Sequence, residues 1–330
     1  MNIGRRTFIG GALTSAVAAA TAPTALAQSG DYPNRPLRLV IPVTAGSVLD
    51  TIGRAYGEQL QHTLGQPVVV DNKPGANMSI GIGNVIASPA DGYTILLTTT
   101  EMVRAPMIFS NIKYDPFKEF TPLAHIASTS IFFVVPASSP ARTLAEFVAL
   151  SRRAPKPLNY GTTGHGSGSH FYGELIATQT GARMIDVPYK GEVPQLPDLL
   201  SGRLDAGWIS GLPALQHSKE GRIRVLAGGS LRQRASIFPE TPTLTELGVQ
   251  GTGIEGFIGY FVAKGTPVPI AQRLAREIDS IASQPQMRQR MVDLGFEPRS
   301  GASIESFLTT MQDVHDGWSK THQMVNIKLN

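Results

Sequence analysis

The sequence predicts an α/β fold in which the strands of a parallel sheet are flanked by helices. Apolar runs of strand length lead repeatedly through short glycine-containing turns into segments with helical periodicity, and units of this kind place successive strands parallel. Length is the second observation. About 303 residues follow a predicted leader, which is long for one hydrophobic core and sufficient for two domains.

The first 27 residues have the features of an export signal. Arg5 and Arg6 precede an uncharged run of small and apolar residues, and Ala25-Leu26-Ala27 matches the small-x-small pattern at which signal peptidase cleaves. The run is too short and too weakly apolar for a transmembrane helix. The paired arginines indicate the twin-arginine route, with Gly4 where that signal usually has Ser or Thr, and the general secretory route is the alternative. Either route would deliver the protein to the periplasm, so we expect a periplasmic protein.

Composition excludes several classes of function. The chain has no cysteine, which removes disulfides, thiolate nucleophiles and cysteine-ligated metals. Loss of the leader lowers the formal charge from +4 to +2, and the remaining basic residues are scattered, so we expect no nucleic-acid partner. The seven histidines lack HExxH and HxxxH spacing, so we expect no metal site. Because no apolar repeat suggests association, we expect a monomer.

The individual elements follow from apolar periodicity and from turn and capping residues. Strands are predicted over 37–43, 67–71, 93–98, 131–135, 184–187, 205–210, 223–227 and 257–263, the fourth at the end of an apolar stretch that begins at 123. Helices are predicted between Ser47 and Gly65 and over 78–87, 143–153, 171–180, 195–201, 212–219, 268–283, 285–294 and 304–325.

The stretch from Leu158 to His170 is the strongest candidate for a ligand-binding loop. It links a strand to a helix, its glycines allow the backbone to approach a ligand closely, and the unpaired N–H groups of the helix N-terminus favour an anion. It has neither a Walker A lysine nor the G-x-G-x-x-G spacing of a dinucleotide site, so we expect no cofactor. The predicted ligand group is a carboxylate or phosphate, and a surface loop without ligand is the alternative. Hydroxyls come from Thr162, Thr163, Ser167 and Ser169.

A second loop of the same design follows the first predicted strand. It runs from Thr44 to Ser47, and Ser47 and Asp50 are spaced as in a capping box. Capping is the structural alternative to ligand contact for Asp50, and the two roles are compatible. Ligands bind outside the carboxyl ends of parallel strands, so the segment from Thr99 to Glu101, after the third strand, is also well placed.

Over essentially the whole mature chain, the sequence resembles the substrate-binding proteins of tripartite tricarboxylate transporters, the periplasmic Bug family. Any one shared block is weak, but their order and spacing together are specific. The blocks include Tyr32-Pro33-x-Arg35-Pro36, Asn72-Lys73-Pro74-Gly75-Ala76, Asp91-Gly92-Tyr93-Thr94, Tyr160-Gly161-Thr162-Thr163-Gly164-His165-Gly166-Ser167 with His170, and Val187-Pro188-Tyr189-Lys190-Gly191.

The resemblance implies a two-lobed type II periplasmic-binding-protein fold, or Venus flytrap, in which each lobe is a mostly parallel sheet flanked by helices. It implies an export signal over 1–27, a first lobe over 28–127, a second lobe over 128–252 and a return to the first lobe over 253–330. Its function would be capture, without catalysis, of a small carboxylated solute. The resemblance implies that the solute would be an organic acid, an aromatic acid or an amino acid, and that it would be delivered to integral membrane transporter subunits.

The resemblance also implies the residues that hold the solute between the closing lobes. One lobe would grip a carboxylate with Thr44, Ala45, Gly46, Ser47 and Asp50. The other would contribute Thr162, Thr163, Gly164, Ser167 and His170. The rest of the solute would contact Asn77, Met78, Ser79, Thr100, Tyr189 and Lys190. Three of these residues have a structural alternative to ligand contact. Lys190 could be a solvated surface lysine, Tyr189 could pack within its lobe, and His170 could form a local hydrogen bond.

Two departures from the family pattern affect the expected solute. Ser47 replaces the second residue of a usual glycine pair, and Asn77-Met78-Ser79 replaces a run richer in glycine. Met78 favours a flatter or more apolar solute than citrate. Alternative functions are a solute sensor for a membrane signalling partner, a binding protein without a dedicated transporter, and a hydrolase using Ser167 or Ser169 with a histidine. The absence of a G-x-S-x-G elbow at either serine disfavours the hydrolase.

Overall fold

The computed structural model describes residues 32–325 and residue 327, so the predicted export signal lies outside the described residues. The strands, in chain order, are β1 (Leu37–Ile41), β2 (Val68–Asn72), β3 (Thr94–Thr99), β4 (Phe120–Thr129), β5 (Ile131–Pro136), β6 (Leu158–Thr162), β7 (Met184–Pro188), β8 (Ala206–Ser210), β9 (Ile223–Gly228), β10 (Gly256–Ala263) and β11 (Glu297–Pro298).

The helices alternate with these strands in the first two thirds of the chain and dominate its last third. They are α1 (Val48–Leu64), α2 (Ser79–Ile86), α3 (Glu101–Ile108), α4 (Pro116–Glu119), α5 (Leu144–Arg153), α6 (Gly168–Thr180), α7 (Glu192–Leu200), α8 (Gly211–Lys219), α9 (Val268–Ser283), α10 (Pro285–Asp293) and α11 (Ile304–Met324). Of the helices in the described range, none has the length and apolar character needed to cross a bilayer.

The strands form two sheets, which confirms the predicted α/β class. The first has the order β11-β4-β10-β3-β1-β2 and the second the order β7-β6-β8-β5-β9. Both sheets are mixed, whereas mostly parallel sheets were expected: β1 and β6 each have two parallel neighbours, and the other pairs are antiparallel. The reason lies in the chain path. A strand that leaves a sheet for the other one lies beside a strand that returns, and the two must run in opposite directions.

The chain passes between the sheets twice, and the two passages are joined by hydrogen bonds. Ser130 separates β4 from β5 in the outward passage, and the segment between β9 and β10 forms the return. The Ser230 hydroxyl in the return segment donates to the Thr129 carbonyl at 2.9 Å and accepts from the Ile131 N–H at 3.3 Å. We propose that the lobe limits expected near 127/128 and 252/253 correspond to these passages.

Capping residues determine where the two helices behind the candidate loops begin. The Ser47 hydroxyl accepts from the Asp50 N–H at the start of α1, and Gly65 ends this helix in the left-handed conformation. The Ser167 hydroxyl accepts from the His170 N–H, so α6 begins at Gly168, three residues earlier than expected. Both loops therefore lead directly into ordered helix N-termini.

Apolar packing is continuous between the two sheets. One buried cluster contains Val40 and Leu96 of the first sheet, Phe133 and Trp208 of the second, and Trp318 of α11. The opposite face of the first sheet is covered by α1, α9 and α10, and that of the second by α7 and α8. Since each fully buried large side chain contributes about 1.5–3 kcal/mol, the shared cluster is a strong link between the sheets.

The two sheet regions approach each other so closely at one backbone contact that only glycine fits on either side. Gly211 begins α8 on the second sheet, and Gly295 lies just before β11 of the first, with φ +80. A Cβ added at Gly211 would overlap the carbonyl oxygen of Gly295, and one added at Gly295 would overlap the amide of Leu212. Because both obstacles are backbone atoms, neither can be relieved by a rotamer change.

We predict that Gly211→Ala lowers the free energy of unfolding by about 1–3 kcal/mol, the usual cost of overpacking, measured by urea denaturation. Gly83→Ala is the matched control, because no atom lies within 4 Å of its added Cβ and the position is inside α2. The control should be neutral or more stable by about 0.5–1 kcal/mol. Equal midpoints for the two variants would contradict the close contact.

Candidate functional site

Two adjoining cavities lie among the loops at the strand ends. The first, which we call the aromatic cavity, has a volume of about 270 Å³ and is lined by the rings of Tyr172, Trp208 and Trp318. Its walls combine residues of the first sheet region with residues of the second. Hydroxyl groups come from Thr99, Thr100, Thr129, Thr163, Ser167, Ser169 and Ser230.

The second cavity has a volume of about 280 Å³, and we call it the loop cavity because Asn77, Met78, His165 and Gly166 line it. It also draws on both sheet regions, since the first two residues precede α2 and the last two precede α6. The cavities adjoin, because five residues line both of them. These shared residues are Thr99, Glu101, Arg104, Thr163 and Ser167.

Arg104 is a buried cation between the two cavities, with 7% of its surface exposed. Its Nε and Nη2 atoms donate to Oε2 of Glu101 at 3.1 and 2.5 Å, and its Nη1 donates to the carbonyl oxygen of Gly166. The guanidinium also lies 5.4 Å from the centroid of the Trp318 ring. A guanidinium removed from water requires such partners. Arg104 thus connects α3, next to the first sheet, to the glycine-rich loop of the second.

The glycine-rich loop is ordered by its own hydroxyls. The Thr163 N–H donates to Ser169 Oγ at 3.1 Å, and Ser169 Oγ lies 2.8 Å from Ser167 Oγ. Positive φ angles of 125 at Gly164 and 71 at Gly166 complete the turn, which explains why glycine occupies both positions. Thr163 and Ser167 line both cavities.

Three predicted residues of this loop line neither cavity. Thr162 is fully buried, and its hydroxyl donates to Asp186 Oδ1 at 2.6 Å. His170 is buried, with Nδ1 accepting from the Gly166 N–H at 3.2 Å. Gly164 acts through its backbone conformation. The hydrogen bond of His170 matches the local role considered for it.

The serine arrangement differs from that of a serine hydrolase. Ser167 and Ser169 bond to each other and to backbone amides. Within the described part of the chain, neither hydroxyl bonds to the imidazole of His165 or His170. The hydrogen-bonded nucleophile and base of such an enzyme are therefore not assembled here.

The loop after β1 is held by a buried carboxylate. Asp50 accepts from the Gly46 N–H at 2.8 Å, from Arg54 Nε at 3.0 Å and from Asn72 Nδ2 at 2.9 Å. Burial opposes its ionisation, but these three donors outweigh that effect and hold the pKa of Asp50 below its usual range. Thr44, Ala45 and Gly46 are exposed, Ser47 is half-buried, and this loop lines neither cavity.

The loop before α2 contains three successive non-glycine residues in the left-handed region. The φ angles are 45 at Ala76, 50 at Asn77 and 70 at Met78. The Met78 sulfur accepts from the hydroxyls of Thr98 and Thr99 at 3.6 and 3.8 Å, which places the side chain against the end of β3. Strained backbone of this kind clusters at binding sites. Ser79 begins α2 and does not line the loop cavity.

The remaining predicted residues divide between the cavity and the surface. Thr100 lines the aromatic cavity, and its hydroxyl accepts from the Phe257 N–H at 2.6 Å. Tyr189 donates to Asp198 at 2.7 Å, and burial, with that hydrogen bond, raises the pKa of Tyr189 to about 12. Lys190 is exposed. Tyr189 and Lys190 line neither cavity, in agreement with the packing and solvation alternatives.

Several cavity residues were not identified from the sequence, among them Arg104, Tyr172, Glu192, Trp208 and Trp318. Burial raises the pKa of Glu192, while the Ser210 N–H and hydroxyl bonded to its carboxylate oppose the rise. No spacing motif connects these five positions, and the fold alone brings them together.

One group of side chains near the glycine-rich loop has the composition of a metal site. His165, His170 and Asp186 each offer one ligand atom, and these atoms lie within 4.8 Å of one another. The absence of a metal was expected because HExxH and HxxxH spacings are missing from the sequence. This group combines an HxxxxH spacing in the loop with an aspartate of β7, which those motifs do not detect.

Comparisons with known proteins agree with this architecture. Residues 52–327 match the tripartite tricarboxylate transporter family receptor, TctC. The chain is 33% identical to BugT of Bordetella pertussis over 267 residues, 79% of this chain and 80% of BugT. It is 29% identical to Rpa4515 of R. palustris, solved with adipate, with a TM-score of 0.77 over 89% of this chain and 98% of that one. For MatC of Rhodopseudomonas palustris, solved with bound malate, the identity is 26% and the TM-score 0.74, over 88% and 99%.

We predict that Asp50→Asn lowers the free energy of unfolding at neutral pH by about 1–3 kcal/mol, because it removes a charged acceptor from three donors. Since the folded-state pKa of Asp50 is depressed, this contribution is present above about pH 4 and disappears as the pH falls through the folded pKa. Urea titrations across the acid range measure the difference. Asp313→Asn, which alters an exposed pair with Arg232, is the control and should have little effect. A wild-type advantage that does not change with pH would contradict the assignment.

Proposed function

This chain belongs to the tripartite tricarboxylate transporter receptor family, and we propose that it captures a small carboxylated solute in the periplasm and delivers it to the membrane subunits of such a transporter. Members of this family are periplasmic receptors that bind solutes. The observation that carries the proposal for this chain is the pair of adjoining cavities lined by both sheet regions. A solute bound there contacts both regions at once, and it therefore stabilises the arrangement in which they are closed together.

The proposed carboxylate grip consists of hydroxyls and one guanidinium. Thr163 and Ser167 line both cavities beside Arg104, so a carboxylate between them would receive neutral and charge-assisted hydrogen bonds. The structures of Rpa4515 with adipate and MatC with malate support a carboxylate ligand by analogy. Of the loop after β1, we propose that Gly46 and Ser47 complete the grip, because β1 and β3 are parallel neighbours whose ends share one edge.

The walls of the aromatic cavity favour a solute with a flat or apolar body. Tyr172, Trp208 and Trp318 offer ring surfaces there, and Met78 offers a thioether in the adjoining cavity. The charged side chains of the cavity also limit the number of carboxylates that the solute can carry. Within the described range, the aromatic cavity contains the carboxyls of Glu101 and Glu192 and a single guanidinium, which disfavours a solute with three carboxylates. We propose an aromatic or otherwise apolar monocarboxylate, or an amino acid with such a side chain.

We predict that a thermal-shift screen of the purified protein identifies at least one aromatic or apolar carboxylic acid as a stabilising ligand. At about 100 times its dissociation constant, a ligand stabilises the folded state by roughly 2.7 kcal/mol, a shift of several degrees. Citrate and malate test the charge argument, and the uncharged amide of each active acid is the matched control. A response to sugars or to the amides, without a response to acids, would show that the cavities do not select a carboxylate.

We predict that Arg104→Gln weakens binding of the acid found in that screen by roughly 10- to 100-fold, measured by calorimetry, as expected for loss of a charge-assisted hydrogen bond of about 1.5–3 kcal/mol. The single change leaves the partly buried Glu101 without its cation, so the double variant Glu101→Gln with Arg104→Gln separates binding from folding. Arg232→Gln, on the surface, is the control. Unchanged affinity in both cavity variants would remove Arg104 from the site.

A further inference from the structure

We propose that His165, His170 and Asp186 form a binding site for a divalent transition-metal ion beside the solute cavities. The site requires no solute, so it is independent of the proposed capture function. Its ligands come from two elements that the fold brings together: the glycine-rich loop and first turn of α6, and strand β7. His165 also lines the loop cavity, so an ion here would lie next to the solute site.

The distances among the three atoms suit a metal ion. His165 Nδ1 lies 3.2 Å from Asp186 Oδ2, and His170 Nε2 lies 3.8 Å from the same oxygen. Each of the three residues offers one ligand atom within 4.8 Å of the other two. Zinc binds nitrogen and carboxylate oxygen at roughly 2.0–2.2 Å, so the side chains move closer together when the ion binds.

A second observation also points to a missing cation. The Asp186 side chain is 8% exposed, and its Oδ2, which lies 3.2 Å from His165 Nδ1, accepts no well-aligned hydrogen bond from the described residues. Its other oxygen is held by the Thr162 hydroxyl at 2.6 Å, so the carboxylate is oriented with Oδ2 towards the two imidazoles. A buried carboxylate oxygen without a donor is costly. A bound cation removes that cost.

The ligand types determine which ions fit. Two imidazole nitrogens and one carboxylate oxygen suit Zn²⁺, Co²⁺, Ni²⁺ or Cu²⁺, whereas Mg²⁺ and Ca²⁺ prefer sites made of oxygen ligands. Three protein ligands leave a fourth position open. Because the site borders the loop cavity through His165, that position is available to water or to a carboxylate of the solute.

Occupation of the site requires a change in the loop. Without metal, the Gly166 N–H donates to Nδ1 of His170, so the ring proton is on Nε2 and faces Asp186. An ion bound at Nε2 displaces this proton, which moves to Nδ1, and Gly166 then loses its acceptor. The Gly166 carbonyl is the group that accepts from Arg104. Metal binding is therefore coupled to the segment that connects the two sheet regions.

The test is calorimetric titration of the purified protein, without a histidine tag and without solute, with Zn²⁺, Co²⁺ or Ni²⁺ in a non-chelating buffer. We expect one ion per chain, no comparable heat with Mg²⁺, and a visible Co²⁺ spectrum typical of nitrogen and oxygen ligands. His165→Ala and Asp186→Asn should each weaken binding at least about tenfold and abolish that spectrum. His165 is exposed, so its variant should fold normally, as checked by circular dichroism.

His62→Ala is the matched control, because His62 is an exposed histidine at the end of α1 outside the metal site. It should bind metal like the wild type. Substoichiometric or undetectable binding by the wild type would overturn the proposal. Equally weak binding by the wild type and all three variants would also overturn it, because scattered surface histidines would then account for the heat. Because no solute is present, a failed carboxylate screen does not affect this result.

Discussion

The burial of the Arg104 guanidinium is the constraint on which the organisation of the site depends. A cation removed from water must receive acceptors, and here they come from Glu101 on its own helix and from the Gly166 carbonyl in the opposite sheet region. Glu101 accepts from Nε and Nη2 and Gly166 accepts from Nη1, so all three nitrogens have an acceptor only when both partners are in place. The positions of α3 and of the glycine-rich loop are therefore interdependent, and both cavities border on their meeting point.

The passages between the sheets restrict how this meeting point can move. Ser230 bonds to both ends of the outward passage, so a displacement of the return segment also displaces Thr129 and Ile131. Thr129, Ile131 and Ser230 all line the aromatic cavity. The connection between the sheets and the wall of the cavity are thus built from the same residues, so under the proposed function a bound solute would contact the residues that join the sheets.

The sequence predicted the elements whose signals are local. The cap and terminator of α1, at Ser47 and Gly65, and the glycine-rich turn before α6 can be read from neighbouring residues, and the structure agrees with them. Helix α3 was missed because Pro106 interrupts its pattern, and β4 was merged with β5 because only Ser130 separates them. The mixed character of the sheets depends on which distant strands become neighbours, and that information is not local.

The same distinction applies to the site. Thr100, Thr163, Ser167, Asn77 and Met78 were predicted and line a cavity, since they lie in loops at strand ends. Arg104 belongs to the helix that was not predicted, and Trp318 comes from the last helix of the chain. These two residues have no neighbouring sequence signal that relates them to the glycine-rich loop. Only the packing of α11 against α3 and α6 brings them there.

The position of β10 has a consequence for biosynthesis. This strand lies inside the first sheet, between β3 and β4, but it is translated only after the entire second sheet. The second sheet, built from one continuous segment, can therefore form first, although it is second in the chain. Until residue 256 emerges, β3 and β4 have exposed edges, an interval of roughly 6–25 s at 5–20 residues per second. During that time these two edges can pair with another chain, and the insertion of β10 between them removes that hazard.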